Sequence, residues 1–278
     1  MNSSEIRQTG CCQLCGDKVE NIEVGPHTYC TQYEIMWKDY SIIGLLESDG
    51  DGEAEDVTRK RDGLYVWVTW LSRLLVGETC CQWSAWFKTH HTDYQKAPSD
   101  FQLAIWTAQH TEMVDKIAKE HLASGKKVFR EEQNWFKVRR GSGLLIAGKP
   151  DLITIDGVGQ HIVLDAKTGS PRNSDTIQVM LYMMLLPYSQ PIFKGKEFEG
   201  CVVYRDGKRY DIPAAAIDDD FKKRVSYFLN ILESTVAPVP TPSFAECKFC
   251  DIGDNDCSNR CQTNVPKTVD EAEPNIPF

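Results

Sequence analysis

Two short apolar runs at residues 152–155 and 162–166, separated by an Asp-Gly turn signal, constrain the fold of this chain most strongly. Runs of this length, bounded by glycine and aspartate, are typical of β-strands. Asp151 precedes the first run, and Asp165 lies 14 residues later in the second. A hairpin of that length can bring the two carboxylates together on neighbouring strands. Lys167 follows Asp165 by two residues, so both side chains leave the same face of the strand.

This hairpin has the residues for chemistry on a hard divalent cation. Two carboxylates side by side repel one another unless a cation lies between them, and Mg²⁺ and Mn²⁺ prefer such oxygen ligands. The cation and the lysine together can lower the pKa of a water molecule or stabilise negative charge at phosphorus. Taken alone, Asp151, Asp165 and Lys167 fit an ordinary turn aspartate and a surface ion pair equally well.

The rest of the pattern predicts three helices and further strands. A capping box at Ser99-Asp-Phe-Gln102 is expected to open a long helix that ends near Gly125. An apolar stripe on that helix contains His110, which should face whatever the helix covers. The order of elements predicts an α/β (α+β) fold with a mixed central sheet flanked by helices. The other predicted elements are helices at 174–186 and 217–233 and strands at 127–138, 144–147, 202–204 and 208–212.

Two residues of the second helix complete an ordered set. Gln178 and Tyr182 lie four residues apart and therefore share one helix face. The set resembles the PD-(D/E)xK nuclease superfamily, most closely its RecB-like branch, and the resemblance covers roughly residues 64–260. It implies a restriction-endonuclease-like core, in agreement with the order of elements. The motifs that carry the resemblance are His110, Gly148-Lys-Pro-Asp151, Asp165-Ala166-Lys167 and Gln178-Val-Met-Leu-Tyr182.

The resemblance implies a role for each matching residue of the metal site. Mg²⁺ or Mn²⁺ would be held by His110, by the carboxylates of Asp151 and Asp165, and by the carbonyl of Ala166. Lys167 would orient or activate the attacking water.

It implies two further features of the site. Gln178 and Tyr182 would contact DNA and brace the lysine. An acidic residue in the first strand is also usual in this branch, and either Glu131 or Glu132 fits that position.

The chain has 11 cysteines, most of them in clusters. Without a secretory signal, such groups are more often metal ligands than disulfides. Cys247, Cys250 and Cys257 resemble the C-terminal tripod by which iron–sulfur RecB-like nucleases, including the CRISPR-associated ones, bind a 4Fe-4S cluster. The resemblance implies a fourth thiolate from upstream, at Cys81 or its neighbour Cys80.

A local zinc site is the alternative for these C-terminal cysteines. The last gap of the tripod is longer than usual, and Cys261 offers a further ligand. Cys247, Cys250, Cys257 and Cys261 together could bind zinc. Either metal would order the C-terminal end of the domain rather than cleave a substrate.

The N-terminal part of the chain has a second cysteine group. Cys12 and Cys15, followed by His27 and Cys30, have the spacing of a small zinc knuckle. Reduced cysteines in an extension are the alternative, and the resemblance does not cover this segment.

A run of acidic residues divides the chain. It predicts a linker at 47–58, with an N-terminal extension at 1–46 and the nuclease domain at 59–278. No apolar run approaches the ~20 residues of a membrane span, and the first residues lack the features of a signal peptide. We therefore expect a protein of the cytoplasm or nucleoid that is neither secreted nor bound to a membrane.

The charge distribution favours a polyanionic substrate. The net charge of −9 excludes a basic coat over the whole protein, but residues 116–149 have nine basic and three acidic side chains. Such a local patch attracts phosphates regardless of base sequence.

These observations predict a divalent-metal-dependent DNA nuclease, an exonuclease that acts on single-stranded or frayed ends. The main alternative is a non-catalytic subunit that binds DNA ends or takes part in assembly on the same fold. Retention of Asp151, Asp165 and Lys167 argues against that alternative. A zinc-stapled scaffold for protein partners would leave these three residues unexplained.

Overall fold

The computed structural model describes residues 58–99 and 101–261, together with the backbone of four short N-terminal strands. In chain order the strands are β1 Thr9–Cys11, β2 Lys18–Glu20, β3 Ile22–Val24, β4 His27–Tyr29, β5 Arg59–Lys60, β6 Tyr65–Trp67, β7 His91–Thr92, β8 Lys127–Arg130, β9 Phe136–Arg139, β10 Leu145–Gly148, β11 Leu152–Ile155, β12 His161–Lys167, β13 Phe198–Tyr204 and β14 Arg209–Ile212. The helices are α1 Val68–Leu75, α2 Gln82–His90, α3 Leu103–Ala123, α4 Glu131–Asn134, α5 Asn173–Leu185, α6 Asp219–Glu233 and α7 Phe244–Cys247.

The N-terminal strands form two antiparallel hairpins, β1 with β2 and β3 with β4. The rest of the predicted extension and almost all of the acidic linker lie outside the described residues. The division at 47–58 therefore stays a prediction.

A five-stranded mixed sheet with the order β14-β13-β12-β11-β8 forms the centre of the fold. β11 is antiparallel to both β8 and β12, whereas β12 runs parallel to β13. β13 and β14, which contain the strands predicted at 202–204 and 208–212, form a hairpin around Asp206-Gly207. Gly207 has a φ of +85°, a conformation that glycine adopts without strain. The predicted mixed sheet is confirmed.

Helices cover both faces of this sheet, because its strands are apolar on both sides. On one face, Val114, Ile117 and Ala118 of α3 pack on Leu164 and its neighbours. On the other face, α1, α5 and α6 contribute to the main hydrophobic core with Ile153, Val163 and Val202. The close approach of α5 depends on Gly200, where an added Cβ would lie 2.5 Å from Val179 Cγ1.

The prediction of one continuous strand at 127–138 is wrong. The turn of helix α4 splits this run, so that β8 joins the central sheet while β9 pairs with β10 in a separate sheet with β6. The split depends on the buried side chain of Asn134, whose amide donates to the carbonyls of Phe129 and Pro150 over 3.0 and 3.2 Å. Alternation of apolar residues does not reveal such contacts.

The predicted start of the long helix is also wrong. Helix α3 begins at Leu103, and Gln102 precedes it without a side-chain cap. Ser99 Oγ accepts from the Phe101 amide over 3.2 Å, in the turn before the helix. The predicted end is confirmed, since the helix stops at Ala123. The apolar stripe is buried only in the second half of the helix, and the side chains of its first turns are exposed.

Helix α5 begins beside the segment that contains the upstream cysteine pair. Asp175 caps the helix from within its first turn, where it accepts from the Arg172 amide over 2.9 Å. Glu78 accepts from both the backbone amide and the hydroxyl of Ser174, over 3.0 and 2.7 Å. Within residues 58–99 and 101–261, no helix combines the length and the hydropathy that a membrane span needs.

Candidate active site

The β11–β12 hairpin places the two aspartates side by side. Leu152 pairs with Leu164 across the antiparallel strands. Asp151 and Asp165, the next residue on each side, therefore lie opposite each other. Both carboxylates are buried. Asp151 Oδ2 accepts from the Ala166 amide over 2.6 Å, which holds this carboxylate against the neighbouring strand.

Two residues from other elements complete a group of potential metal ligands. His110 Nε2 lies 3.2 Å from Asp151 Oδ2, and His110 Nδ1 lies 3.6 Å from Glu131 Oε1. The ligand atoms of His110, Glu131 and Asp151 all lie within 4.8 Å of one another. Of the two glutamates that the sequence left open, Glu131 therefore points inward, whereas Glu132 is exposed. Carboxylates with an imidazole form a donor set that suits a divalent cation such as Mn²⁺.

The carboxylates favour the protonated form of His110. Burial lowers the pKa of this imidazole, but the hydrogen bond and charge of Asp151, with Glu131 and Asp165, outweigh burial and raise it. A proton on the imidazole and a cation at this group therefore compete with one another.

Asp165 lies beside this donor group and is paired with lysine. Lys167 Nζ is 2.6 Å from Asp165 Oδ2 and donates to Gln178 Oε1 over 3.0 Å. Gln178 Nε2 donates to Asp165 Oδ1 over 3.1 Å and to the Tyr182 hydroxyl over 3.0 Å. The Tyr182 hydroxyl in turn lies 3.4 Å from the carbonyl of Lys149. The structure thus joins the two predicted helix residues to the predicted aspartate and lysine in one network.

Burial affects the two members of the ion pair differently. Burial raises the pKa of Asp165 to about 6. The positive charge of Lys167 opposes this increase, whereas the negative charge of Asp151 adds to it. Burial lowers the pKa of Lys167, but Asp165 outweighs it, so the pKa is raised above its usual value. Lys167 is consequently an ammonium ion throughout the neutral range. It can donate hydrogen bonds and stabilise negative charge, but it cannot accept a proton.

Sequence reasoning missed two buried residues beside the lysine. Asp175 Oδ1 lies 3.9 Å from Lys167 Nζ, and Asp175 Oδ2 accepts from the Tyr204 hydroxyl over 2.8 Å. Tyr204 pairs with Lys167 across the parallel strands, so alignment of β12 with β13 could have found it.

A glycine allows the close approach of Tyr182 to the hairpin. A Cβ at Gly148 would lie 2.7 Å from both Tyr182 Cε1 and Phe136 Cζ. The first residue of the predicted Gly148-Lys-Pro-Asp151 motif is therefore needed for packing. The last residue of the motif belongs to the group of potential metal ligands.

Comparison with known families agrees with this arrangement. A family model described as the PD-(D/E)XK nuclease superfamily matches residues 76–254. The chain belongs to this superfamily. Pro150 and Asp151 fit the letters PD of the family name, and Asp165-Ala166-Lys167 fits the letters (D/E)XK.

Comparison with individual proteins adds little. A solved structure described as "Crystal structure of SSO0001" is similar at 17% identity and a TM-score of 0.38, over 84% of this chain and 97% of that chain. No curated protein matches the chain.

The PD-(D/E)XK domain also brings distant cysteines together. The backbone amides of Cys80 and Cys81 both donate to Glu246 Oε1, the latter over 3.2 Å, which ties this segment to α7. Burial raises the pKa of the Cys257 thiol, and three nearby thiols raise it further. Those three thiols belong to Cys81, Cys247 and Cys250.

The two alternative ligands occupy different surroundings. Cys80 is exposed, and its Sγ lies 3.3 Å from the Gly77 carbonyl. The Cys261 amide donates to Cys247 Sγ over 3.4 Å. In the part of the chain that the structure describes, no three cysteines have sulfurs that all lie within 4.8 Å of one another.

The predicted N-terminal zinc ligands remain untested. Cys12, Cys15 and Cys30 lie outside the described residues, and only the backbone of His27 is described, in β4.

Proposed function

We propose that this PD-(D/E)XK protein is a divalent-metal-dependent DNA nuclease of the RecB-like branch, which hydrolyses phosphodiester bonds at single-stranded ends. One observation carries the proposal. A half-buried ammonium, that of Lys167, is held 2.6 Å from the buried carboxylate of Asp165 and beside the donor group of His110, Glu131 and Asp151. An ammonium is costly to bury, so a function for its charge is expected.

Mg²⁺ or Mn²⁺ would be held by His110, Glu131, Asp151, Asp165 and the carbonyl of Ala166, Glu131 being the residue that the geometry adds to the predicted set. When bound, the cation would lower the pKa of a water molecule and offset the charge of the phosphate.

The protein residues would position the reacting groups. Because Lys167 is protonated, its role is to orient the attacking water through its lone pairs and to stabilise charge as it develops on the phosphate. Gln178 would keep the ammonium in place. Tyr182 would support Gln178 from the adjacent turn of the helix.

We place a 4Fe-4S cluster on Cys81, Cys247, Cys250 and Cys257. The effect of the Cys81, Cys247 and Cys250 thiols on Cys257 supports this set over one that includes Cys80. Cys261, whose thiol interacts with that of Cys247, stays the alternative ligand. A cluster is larger than one ion and accepts more widely spaced thiolates. Protein purified without oxygen should therefore be brown and contain about four irons per chain, as the cluster type requires. Colourless protein that contains zinc would favour the local four-cysteine site.

We retain zinc binding by Cys12, Cys15, His27 and Cys30, in an extension that precedes the nuclease domain, as a further proposal. Metal analysis of Cys15→Ser tests it. Loss of one zinc per chain with unchanged iron would support the proposal, and an unchanged zinc content would contradict it.

Cleavage of labelled DNA tests the nuclease proposal. Single-stranded and duplex DNA, labelled at either end, are incubated with the purified protein in the presence of Mn²⁺ or EDTA, with a matched RNA strand in parallel. Lys167→Ala should abolish cleavage. Lys223→Ala is the control, because Lys223 is exposed on α6, where it pairs with Asp220.

The outcomes separate the enzyme from a binding module. Mn²⁺-dependent cutting that starts from a labelled end supports an exonuclease. Binding of DNA without cutting by the wild-type protein supports the non-catalytic end-binding subunit. Cutting by Lys167→Ala at the wild-type rate would contradict the assigned site.

A further inference from the structure

The first turns of α3 present apolar side chains to solvent directly beside the metal-ligand group. Phe101 is 61% exposed and Trp106 is 40% exposed, and Leu103 and Ile105 are also exposed. Of these residues, Leu103 and Trp106 lie on the apolar stripe of α3 that was predicted to face the covered side of the helix. Large exposed apolar groups at a cleft are typical of surfaces that bind a partner.

The two aromatic residues form a continuous path to the site. The Trp106 indole stacks on the His110 imidazole with the ring centroids 4.9 Å apart and the planes 20° from parallel. The Phe101 ring lies 6.1 Å from the indole. We call Phe101 and Trp106 the aromatic platform. It extends from solvent to a residue that is itself within 3.2 Å of Asp151.

A positive charge accompanies the platform. Arg205 Nη1 donates to Gln109 Oε1 over 3.2 Å at an exposed position. Trp106, Gln109 and His110 are three and four residues apart, so they share one side of α3. The Arg205 amide also donates to the Lys167 carbonyl over 3.0 Å. The guanidinium therefore reaches from the end of the lysine strand to Gln109, on the side of α3 that carries Trp106.

We propose that the aromatic platform stacks on unpaired bases of a nucleic-acid strand, with Arg205 on its backbone, and so places a phosphodiester at the metal-ligand group. This inference rests on the proposed function and assigns to it a base-binding site. Every base has an apolar face that an aromatic ring can cover, and arginine contacts phosphate irrespective of sequence. In a duplex those faces are covered by neighbouring base pairs. The platform thus selects unpaired ends.

The location of the platform favours this ligand over a protein partner. Trp106 stacks on His110, so whatever lies on the indole also lies against the metal ligands. A protein docked there would obstruct the site, whereas a substrate strand must pass it. Each part of this surface suits one part of a bound substrate strand. The aromatic rings suit a base, the guanidinium suits a phosphate, and the acidic ligands suit a cation.

Binding measured without cleavage tests the platform. Fluorescence anisotropy of the full chain in a Lys167→Ala background gives the Kd for a labelled single strand and for a blunt duplex of the same sequence. Trp106→Ala and Phe101→Ala should each weaken single-strand binding roughly 5- to 100-fold and leave duplex binding unchanged. Trp106→Phe, which keeps an aromatic ring, should recover most of the affinity.

A matched control and a metal titration exclude indirect effects. Tyr188→Ala removes an aromatic side chain that is 77% exposed in the 3-10 turn Leu186–Tyr188, which follows α5. This variant should leave the Kd for the single strand and for the duplex unchanged. Trp106→Ala could act through His110, in which case Mn²⁺ affinity would fall. Phe101 lies beside Trp106, one ring further from His110, so the effect of Phe101→Ala on single-strand binding should come with unchanged Mn²⁺ affinity.

The outcomes distinguish the platform from the nuclease assignment. Wild-type protein that binds single strands through Trp106 and Phe101 but never cuts would contradict the nuclease and support the platform. Wild-type protein that cuts, with platform variants that bind single strands normally, would overturn the platform alone. Platform variants that alter self-association in sedimentation but not strand binding would also overturn it, in favour of a protein interface.

Discussion

The ammonium of Lys167 donates a hydrogen bond over 3.0 Å to the side-chain oxygen of Gln178 on the first turns of α5. The amide nitrogen of the same glutamine donates to Asp165, so one side chain orients both members of the ion pair. A strand and a helix are thereby connected at the point where the lysine must be held still. Such supporting contacts commonly matter nearly as much as the reacting groups themselves.

Gln178→Ala should therefore lower cleavage by about 10- to 100-fold without loss of the fold. The ammonium would keep its charge but lose one of the contacts that direct it. Single-turnover cleavage of end-labelled DNA in Mn²⁺ measures the effect. Gln160→Ala removes an amide from an exposed turn and should leave the rate unchanged. An equal rate in both variants would contradict the positioning role.

Mn²⁺ affinity should fall as the pH is lowered. The pKa of His110 is raised by its carboxylates, and that of Asp165 is raised to about 6 by burial, so below those pKa values both groups hold protons that a cation must displace. Below these pKa values the protonated, metal-free site is favoured. Above them the site has lost these protons, and the metal-bound protein is favoured. Each displaced proton costs about tenfold in affinity per pH unit below its pKa.

Calorimetry in two buffers of different ionisation enthalpy measures both the affinity and the protons released. His110→Ala should bind Mn²⁺ more weakly and release fewer protons near neutral pH. An affinity that stays constant between about pH 5 and 8 would contradict the assignment of these two groups to the metal.

Gly148→Ala should destabilise the protein by about 1–3 kcal/mol. The added methyl group would lie 2.7 Å from Tyr182 Cε1 and Phe136 Cζ, so rings in the core must shift. Gly141→Ala is the control, because a Cβ there meets no atom within 4 Å. Urea unfolding measures the difference. Equal stability of the two variants would contradict the close packing at Gly148.

Cys250→Ser should lower the melting temperature and the iron content before it lowers the turnover of the folded fraction. The cluster would connect the C-terminal segment to Cys81, 169 residues upstream, and closing a long loop restricts the unfolded chain strongly. His110→Ala should do the reverse and stop cleavage in a stable protein. Cys80→Ser should keep its iron.

Melting curves, iron content and single-turnover rates on the same preparations check this prediction. A Cys250→Ser protein of normal stability without activity would mean that the cluster takes part in catalysis or DNA binding, and the structural role would then be wrong.

The sequence alone determined the features that depend on local periodicity. The spacing of Asp151 and Asp165 predicted a hairpin, and the alternation of strand residues placed Lys167 on the side of Asp165. A four-residue helical step placed Gln178 beside Tyr182. Each of these relationships is contained within one element or two adjacent strands, so the geometry of the backbone is sufficient to predict it.

Tertiary structure decided the features that depend on which distant surfaces meet. Only the packing of α3 against the hairpin distinguishes Glu131 from its neighbour Glu132, since both fit the local pattern. The exposure of Trp106 likewise depends on tertiary structure. A helical stripe is buried only where another layer covers it, and the central sheet covers α3 only in its second half. The sequence of a helix records which side is apolar, whereas its burial depends on residues elsewhere in the chain.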